Sequence, residues 1–134
     1  MAAAIKASSL MSRVRQRGTG GELAVGRILR SLDVAYRLNV RALPGSPDFA
    51  NKSNKWAVFV HGCFWHRHTA CRRATIPRTN TAFWTQKFNS NRIRDARAVR
   101  ELRGLGYRVV VLWECEVTNA VVAREKLRKI LKSR

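Results

Sequence analysis

The stretch that most constrains the fold is residues 56–71, where an apolar run ends in a cluster of histidines and cysteines. The run from Trp56 to Val60 is too short for a helix and rich in residues that favour strands, so it predicts a buried strand. The residues that follow contain all three histidines and two of the three cysteines of the chain. A strand that ends in such a cluster can hold a metal ion and present a base at the edge of a sheet.

The rest of the chain predicts an α/β domain with the order α-β-β-β-α-β-α. The predicted elements are a helix over 20–32, strands over 36–40, 48–50 and 56–60, a long helix over 81–104, a strand over 107–113 and a last helix capped by Thr118. The alternation of Tyr36, Leu38 and Val40 predicts a strand with one buried face. In the long and the last helix, Ile93 and Val122 are expected to lie inside.

The charge of the chain predicts a polyanionic partner. The 134 residues are enough for one domain, and 27 Lys and Arg against 8 Asp and Glu give a formal net charge of +19. Nucleic acid is the leading candidate partner, and an anionic membrane surface is the alternative. We divide the chain into a basic N-terminal arm, residues 1–18, and a folded domain, residues 19–134. The nucleic-acid contacts expected from the arm are Met11, Arg13, Arg15 and Arg17, and Arg67 is a further expected contact.

The sequence also predicts where the protein works. No window reaches the roughly 18 consecutive apolar residues of a membrane span, and the first residues lack the pattern of a secretory signal. Three cysteines are an odd number and do not form a disulfide framework. We therefore expect a soluble intracellular protein that does not act at a membrane.

Four residues have the chemistry of a structural zinc site. Cys63, His68 and Cys71 have the spacing Cys-x4-His-x2-Cys, and Cys115 ends a second apolar strand. Thiolates and imidazole suit zinc, and four protein ligands close the site to water. The spacing from Cys63 to His66 is also allowed, so His66 in place of His68 remains open.

A second set of residues predicts a magnesium-dependent nuclease site. Asp48 begins a strand, where a carboxylate can bind Mg²⁺ beside a scissile phosphate, although a turn aspartate is the simpler interpretation. The acid-x-Lys triplet of many nucleases would fall at residues 59–61, which read Phe-Val-His, so a backbone carbonyl would have to be the second ligand. His66 is the first candidate for general base, and His61 is the second, as a base or a phosphate contact. Glu22 either caps the first helix or supports this site.

Several of these motifs together resemble one family. They are Pro47-Asp48-Phe49, the run His61-Gly62-Cys63-Phe64-Trp65-His66-x-His68, Phe83-Trp84, Gly106-Tyr107-Arg108-Val109 and Trp113-Glu114-Cys115. Over about residues 8–118 the chain closely resembles the very-short-patch-repair (Vsr) DNA mismatch endonucleases. The resemblance implies a restriction-endonuclease-like mixed sheet flanked by helices, with a structural zinc. It also implies Mg²⁺-dependent nicking of one DNA strand, 5′ to the thymine of a T:G mismatch left by deaminated 5-methylcytosine.

The resemblance assigns roles residue by residue. It implies a magnesium site at Asp48 and the backbone carbonyl of Val60, catalysis by His66, and support from His61 and Glu22. The family's zinc ligands correspond to Cys63, His68, Cys71 and Cys115. The aromatic residues that wedge into the base stack beside the mismatch correspond to Phe64, Trp65 and Trp84. Without the resemblance, Trp65 and Trp84 would be interpreted as core residues.

The resemblance further implies a monomer that acts on mismatched double-stranded DNA in the bacterial cytoplasm, at the nucleoid, with repair proteins as further candidate partners. Two alternatives remain open. One is a related endonuclease of relaxed or different specificity. The other is a zinc-stabilised module that binds nucleic acid without cutting it.

Overall fold

The computed structural model describes residues 20–69, 71–72 and 74–131. The predicted basic arm, with Met11, Arg13, Arg15 and Arg17, lies outside the described residues. The side chains of Phe64 and Trp65 also lie outside the description, although the backbone there is described.

The described part of the chain is a mixed α/β fold. Its elements are α1 (Gly20–Ser31), β1 (Arg37–Leu38), β2 (Phe49–Asn51), β3 (Trp56–His61), α2 (Cys63–His66), α3 (Thr81–Gly104), β4 (Arg108–Trp113), α4 (Glu114–Val117) and α5 (Ala120–Leu131). The predicted order of long helices and strands is confirmed, and α2 and α4 are one-turn helices that periodicity did not indicate. Both follow the end of a strand directly.

The sheet has the strand order β1-β2-β3-β4. β1, β2 and β3 are antiparallel neighbours, whereas β4 runs parallel to β3 and is reached through α2 and α3. The parallel register places His61 opposite Trp113. The last residues of two strands therefore meet at one end of the sheet, together with the short helices that follow them.

Two hydrophobic layers cover the two faces of this sheet. Residues of α1 and α5 pack on one face, against alternate strand residues such as Val58 and Leu112. On the other face, Ala98 and Leu102 of α3 pack against Ala57 and Val109. Because strand side chains alternate, His61 and Trp113 point to the same face as Ala57 and Val109. The ends of β3 and β4 thus present their last side chains to α3.

The turn that leads into β2 packs closely on α3. Gly45 has φ of +74°, and a Cβ added there would lie 2.5 Å from the Cβ of Ala98. Only glycine combines this backbone conformation with such a close approach. The turn therefore holds the start of β2, and with it Asp48, near the end of β3.

Three apolar residues that were expected inside are exposed. Leu38 is 61% exposed because β1 is a two-residue edge strand, and Ile93 is 70% exposed in the middle of α3. Val122 is about half exposed, while Ala123, Leu127 and Leu131 form the buried stripe of α5.

The predicted cap of the last helix is also wrong. The side-chain oxygen of Asn119, not of Thr118, accepts the backbone N–H of Val122 at 3.3 Å. The Thr118 hydroxyl donates instead to the carbonyl of Cys115, because the one-turn helix α4 takes up the residues just before it.

No helix among the described residues is both long enough and apolar enough to cross a membrane.

Candidate active site and metal centre

The carboxylate of Asp48 is hydrogen-bonded to the backbone near the end of β3. Its Oδ2 accepts the N–H of Val60 at 2.7 Å, and its side chain is partly buried. The antiparallel register pairs Phe49 with Val58, so the chain at Asp48 lies beside the last residues of β3. The carboxylate is thereby fixed next to the peptide that precedes His61.

The next group at this end of the sheet is a cluster of two imidazoles and one carboxylate, here called the histidine cluster: His61, His66 and Asp95. The rings of His61 and His66 stack with centroids 3.9 Å apart and an angle of 5° between their planes. The Nδ1 of His66 lies 2.5 Å from Oδ2 of Asp95. Since a carboxylate accepts, Nδ1–H is the donor, and Nε2 of His66 keeps the lone pair that can take a proton.

Asp95, the partner of His66, was not predicted from the sequence. It lies in the arginine-rich part of α3. Seven residues separate it from Phe88, and seven more lead to Leu102, both of which are buried. Two turns of helix return to the same face, so this spacing could have identified Asp95 as facing inward.

The environment of His61 keeps its ring neutral. Burial first, and then the neighbouring His66, lower the pKa of His61 to about 3, while Asp95 acts in the opposite direction. The side chain is 6% exposed, and its Nδ1 has no hydrogen-bond partner among the described residues. A buried, neutral imidazole beside a base is typical of functional sites.

A second cluster, here called the thiol cluster, contains Cys63, His68, Cys71 and Cys115. One ligand atom from each residue can be chosen so that all lie within 4.8 Å of one another, close enough to hold a metal ion. Nδ1 of His68 lies 3.3 Å from the sulfur of Cys115 and 3.7 Å from that of Cys63. His66 belongs to the histidine cluster instead.

Burial disfavours ionisation of one member of the thiol cluster. It raises the pKa of the Cys63 thiol to about 12, while a backbone hydrogen bond at Cys115 lowers that pKa and the side chains of Cys115 and Cys71 raise it further. Thiolates, not thiols, bind metals, and a coordinated metal ion deprotonates its thiol ligands. The cluster therefore has the donor types of a metal site.

Comparison with known proteins identifies the family. The sequence model of the family described as DNA mismatch endonuclease Vsr matches residues 3–73. The chain is 40% identical over 122 residues to the type II nicking enzyme V.XorIIP of Xanthomonas oryzae pv. oryzae, covering 91% of this chain and 89% of that protein. It is 38% identical over 120 residues to the DNA mismatch endonuclease Vsr of Escherichia coli, covering 90% of this chain and 74% of the relative. It is 36% identical over 127 residues to the type II nicking enzyme V.NmeAIP of Neisseria meningitidis, covering 95% and 90%.

The chain belongs to the Vsr family. It is therefore a DNA-cleaving hydrolase of mismatch repair, and DNA is its substrate. The alternative of a module that binds nucleic acid without cutting it is not supported.

Two further residues with predicted Vsr roles are buried. Glu22 lies in the first turn of α1 and is 8% exposed, and in the described part of the chain it and His61 are the buried polar residues. Trp84 is 3% exposed and its ring contacts Phe83 and Phe88. As a DNA wedge, Trp84 would have to leave this position.

Arg67, a predicted DNA contact, binds the protein itself. It donates to the carbonyls of Ala74 and Thr75, each at 2.7 Å, and its guanidinium lies 4.1 Å from the ring centroid of Phe88. Burial, and then the nearby charge of Arg92, lower the pKa of Arg67. The side chain fastens the loop after α2 to α3.

Proposed function

We propose that this Vsr family member is a Mg²⁺-dependent endonuclease that nicks one DNA strand 5′ to the thymine of a T:G mismatch, in very short patch repair of deaminated 5-methylcytosine. It would do so on a restriction-endonuclease-like fold held by a structural zinc. One observation carries the proposal: a histidine oriented by a carboxylate, His66 with Asp95, stacks on His61 at the end of β3, the strand whose Val60 N–H is bound by Asp48.

The residues at Asp48 fit a magnesium ion. Mg²⁺ prefers hard oxygen ligands and is commonly bound through one or two carboxylates while keeping several waters. Asp48 and the backbone carbonyl of Val60 would hold it. When bound, the ion would polarise the scissile phosphate and neutralise the charge that develops there.

His66 would act as the general base. Its Nε2 would take a proton from water as the water oxygen forms a bond to phosphorus, and the P–O bond to the leaving oxygen would break as that oxygen takes a proton from a second, solvent water molecule. Asp95 holds the imidazole in the tautomer that leaves Nε2 free and stabilises the imidazolium that forms. His61, neutral and stacked on His66, limits the ring to one orientation, and Glu22 would support the site from α1.

The thiol cluster fits zinc. Tetrahedral bonds of about 2.3 Å to sulfur and about 2.0–2.1 Å to nitrogen place neighbouring S and N ligands about 3.6 Å apart. The contacts of 3.3 Å and 3.7 Å around His68 lie on either side of that value. Four protein ligands leave no position for water, so this ion would stabilise the fold and take no part in hydrolysis.

Selectivity for the mismatch would come from the aromatic residues Phe64, Trp65 and Trp84. Inserting apolar side chains into a base step costs a few kcal/mol, and the cost is least where pairing is already poor. We place the enzyme as a monomer on mismatched duplex DNA in the bacterial cytoplasm, at the nucleoid, with repair proteins as further partners.

A nicking assay tests this function. End-labelled duplexes carrying T:G, other mismatches or only matched pairs are incubated with Mg²⁺ or with EDTA, using the wild type and the variants Asp48→Asn and His66→Ala. We expect nicking of the T:G duplex alone, only with Mg²⁺, and its loss in both variants. Asp33→Asn is the matched control, because Asp33 is an exposed carboxylate after α1 with a positive φ that asparagine tolerates.

A relaxed or different specificity is the second candidate, because several relatives are named type II nicking enzymes. Nicking of T:G and other mismatches at similar rates would favour an endonuclease of relaxed specificity. Equal nicking with EDTA, or full activity of Asp48→Asn, would overturn the magnesium site.

A further inference from the structure

Trp113 lies between the two clusters and contacts both. Its indole stacks on the ring of His68, with centroids 4.3 Å apart and planes 13° apart. It also meets the ring of His61 in a T-shaped arrangement, with centroids 5.2 Å apart and planes 74° apart. His61 in turn stacks on His66, which binds Asp95. Four rings in contact thus lead from the thiol cluster to the carboxylate on α3.

From this arrangement we infer that Trp113 is a positioning residue that sets the place of the catalytic histidines according to the geometry of the metal centre. The inference rests on the proposed function. It gives the metal a role beyond tethering a loop, because the ion fixes His68, His68 fixes the indole, and the indole limits where His61 and His66 can lie.

The backbone supports this arrangement. The register of the parallel strands places Trp113 directly opposite His61, so the pairing of β3 with β4 keeps the Cα atoms of the two residues side by side. Two residues after Trp113 the chain reaches Cys115, a member of the thiol cluster. Since packed rings cannot interpenetrate and interiors contain few voids, a shift of His68 is passed on to His61.

A competing path runs through the backbone of α2. That single turn begins at Cys63, a member of the thiol cluster, and ends at His66, the candidate base. The experiment must therefore separate the indole from the helix. Changing Trp113 alters no residue of α2 and removes no ligand of the thiol cluster.

Three variants make this separation. Trp113→Leu removes the ring, Trp113→Phe keeps an aromatic face, and Trp56→Phe is the matched control, since Trp56 is a buried tryptophan at the opposite end of β3. For each variant we measure zinc per chain, kcat and KM for nicking, and the imidazole ¹⁵N signals of histidine-labelled protein.

We expect Trp113→Leu to keep about one zinc per chain and KM within about twofold, while kcat falls about 10- to 100-fold, since displacements near 1 Å at a reacting group have effects of this size. The ¹⁵N signals of His61 and His66 shift in the same variant. Trp113→Phe restores most of kcat, and Trp56→Phe lowers the melting temperature without changing the histidine signals. Zinc-loaded Trp113→Leu with wild-type kcat and wild-type His61 and His66 signals would overturn the inference.

A second measurement covers the case in which Trp113→Leu does not fold or loses zinc. Wild type and Trp113→Met, which fills part of the space without a ring, are loaded with Cd²⁺, a larger ion, in place of Zn²⁺. We expect the signals of His61 and His66 to shift in wild type, and to shift less in Trp113→Met. A shift of the His68 signal alone, or equal shifts in both proteins, contradicts the role of the indole. These spectra need no substrate, so they remain decisive if the T:G preference itself fails.

Discussion

The thiol cluster and the histidine cluster lie at the same end of the sheet and alternate along one short stretch of chain, yet they differ in what surrounds their donor atoms. In each cluster one donor atom per residue lies within 4.8 Å of the others. The thiol cluster offers three sulfurs and one nitrogen. In the histidine cluster the rings of His61 and His66 are stacked, and one nitrogen of His66 is already bonded to Asp95.

This difference teaches how one loop can serve two purposes. In the thiol cluster, four donors can bind one cation and close the site, which stabilises the fold. In the histidine cluster, the carboxylate holds Nδ1 of His66, and the lone pair of Nε2 can take a proton. The distinction depends on Asp95, because without that partner the second cluster would be a pair of stacked imidazoles.

The largest expected effect is a loss of stability when one ligand of the thiol cluster is removed. Cys115→Ser removes the ligand that joins the loop after α2 to the end of β4, and we expect a loss of more than about 4 kcal/mol of folding free energy, as is found when a protein loses a structural metal. Chemical denaturation and zinc analysis measure it. Thr118→Ala is the control, since it removes only the hydroxyl that donates to the carbonyl of Cys115 at 2.7 Å. Unchanged stability with no zinc bound would mean that the thiol cluster is not a structural metal site.

The second largest expected effect tests whether activity can be lost while the thiol cluster keeps its zinc. His66→Ala should lower kcat by about 10²- to 10⁴-fold, the usual contribution of a general base, while zinc content and DNA affinity remain near wild type. Single-turnover nicking and a binding assay on the same duplex measure the two quantities. If His66→Ala also lost zinc, the two clusters would not be separate in function.

The sequence predicts the strands that position the site better than it predicts the side-chain contacts within the site. The strand that ends at His61 and the opposite strand that ends at Trp113 are where apolar runs indicated, because a buried strand needs both faces covered. Asp95 was missed because charge patterns describe solvent exposure only on average. The spacing from Phe88 through Asp95 to Leu102 follows one helix face, and that regularity was outweighed by the arginines around it.

The lengths of α3 and of the strands explain why the apolar periodicity of α3 did not predict the exposure of Ile93. A helix of 24 residues extends about 36 Å, whereas strands of six residues extend about 20 Å. The sheet therefore covers only the part of α3 near Ala98 and Leu102. Ile93 lies in a part of the helix that the sheet face does not bury, so its place in an apolar stripe did not predict burial.

A smaller effect tests the carboxylate that distinguishes the histidine cluster. Asp95→Asn keeps the size of the side chain but removes the charge that stabilises protonated His66, and loss of such an orienting partner typically costs about 10- to 100-fold. We expect kcat to fall by this amount with KM unchanged. Glu101→Gln on the same helix is the matched control, because Glu101 is exposed and pairs only loosely with Arg97 at 3.7 Å. An equal loss in both variants would attribute the effect to the helix and not to His66.

The smallest expected effect concerns Arg67, the residue that separates the two clusters in the chain, with a φ of +55° that turns the backbone from His66 towards His68. Because its guanidinium donates to the carbonyls of Ala74 and Thr75, we expect Arg67→Ala to cost about 1–3 kcal/mol of stability, as charged hydrogen bonds do. Arg67→Lys should cost nearly as much, since lysine cannot contact both carbonyls with one planar group. The salt dependence of DNA affinity decides between this role and a phosphate contact. A phosphate contact would change the slope of log K against log salt by about 0.9 in Arg67→Ala and restore it in Arg67→Lys, whereas a side chain that only joins the loop to α3 leaves the slope unchanged in both.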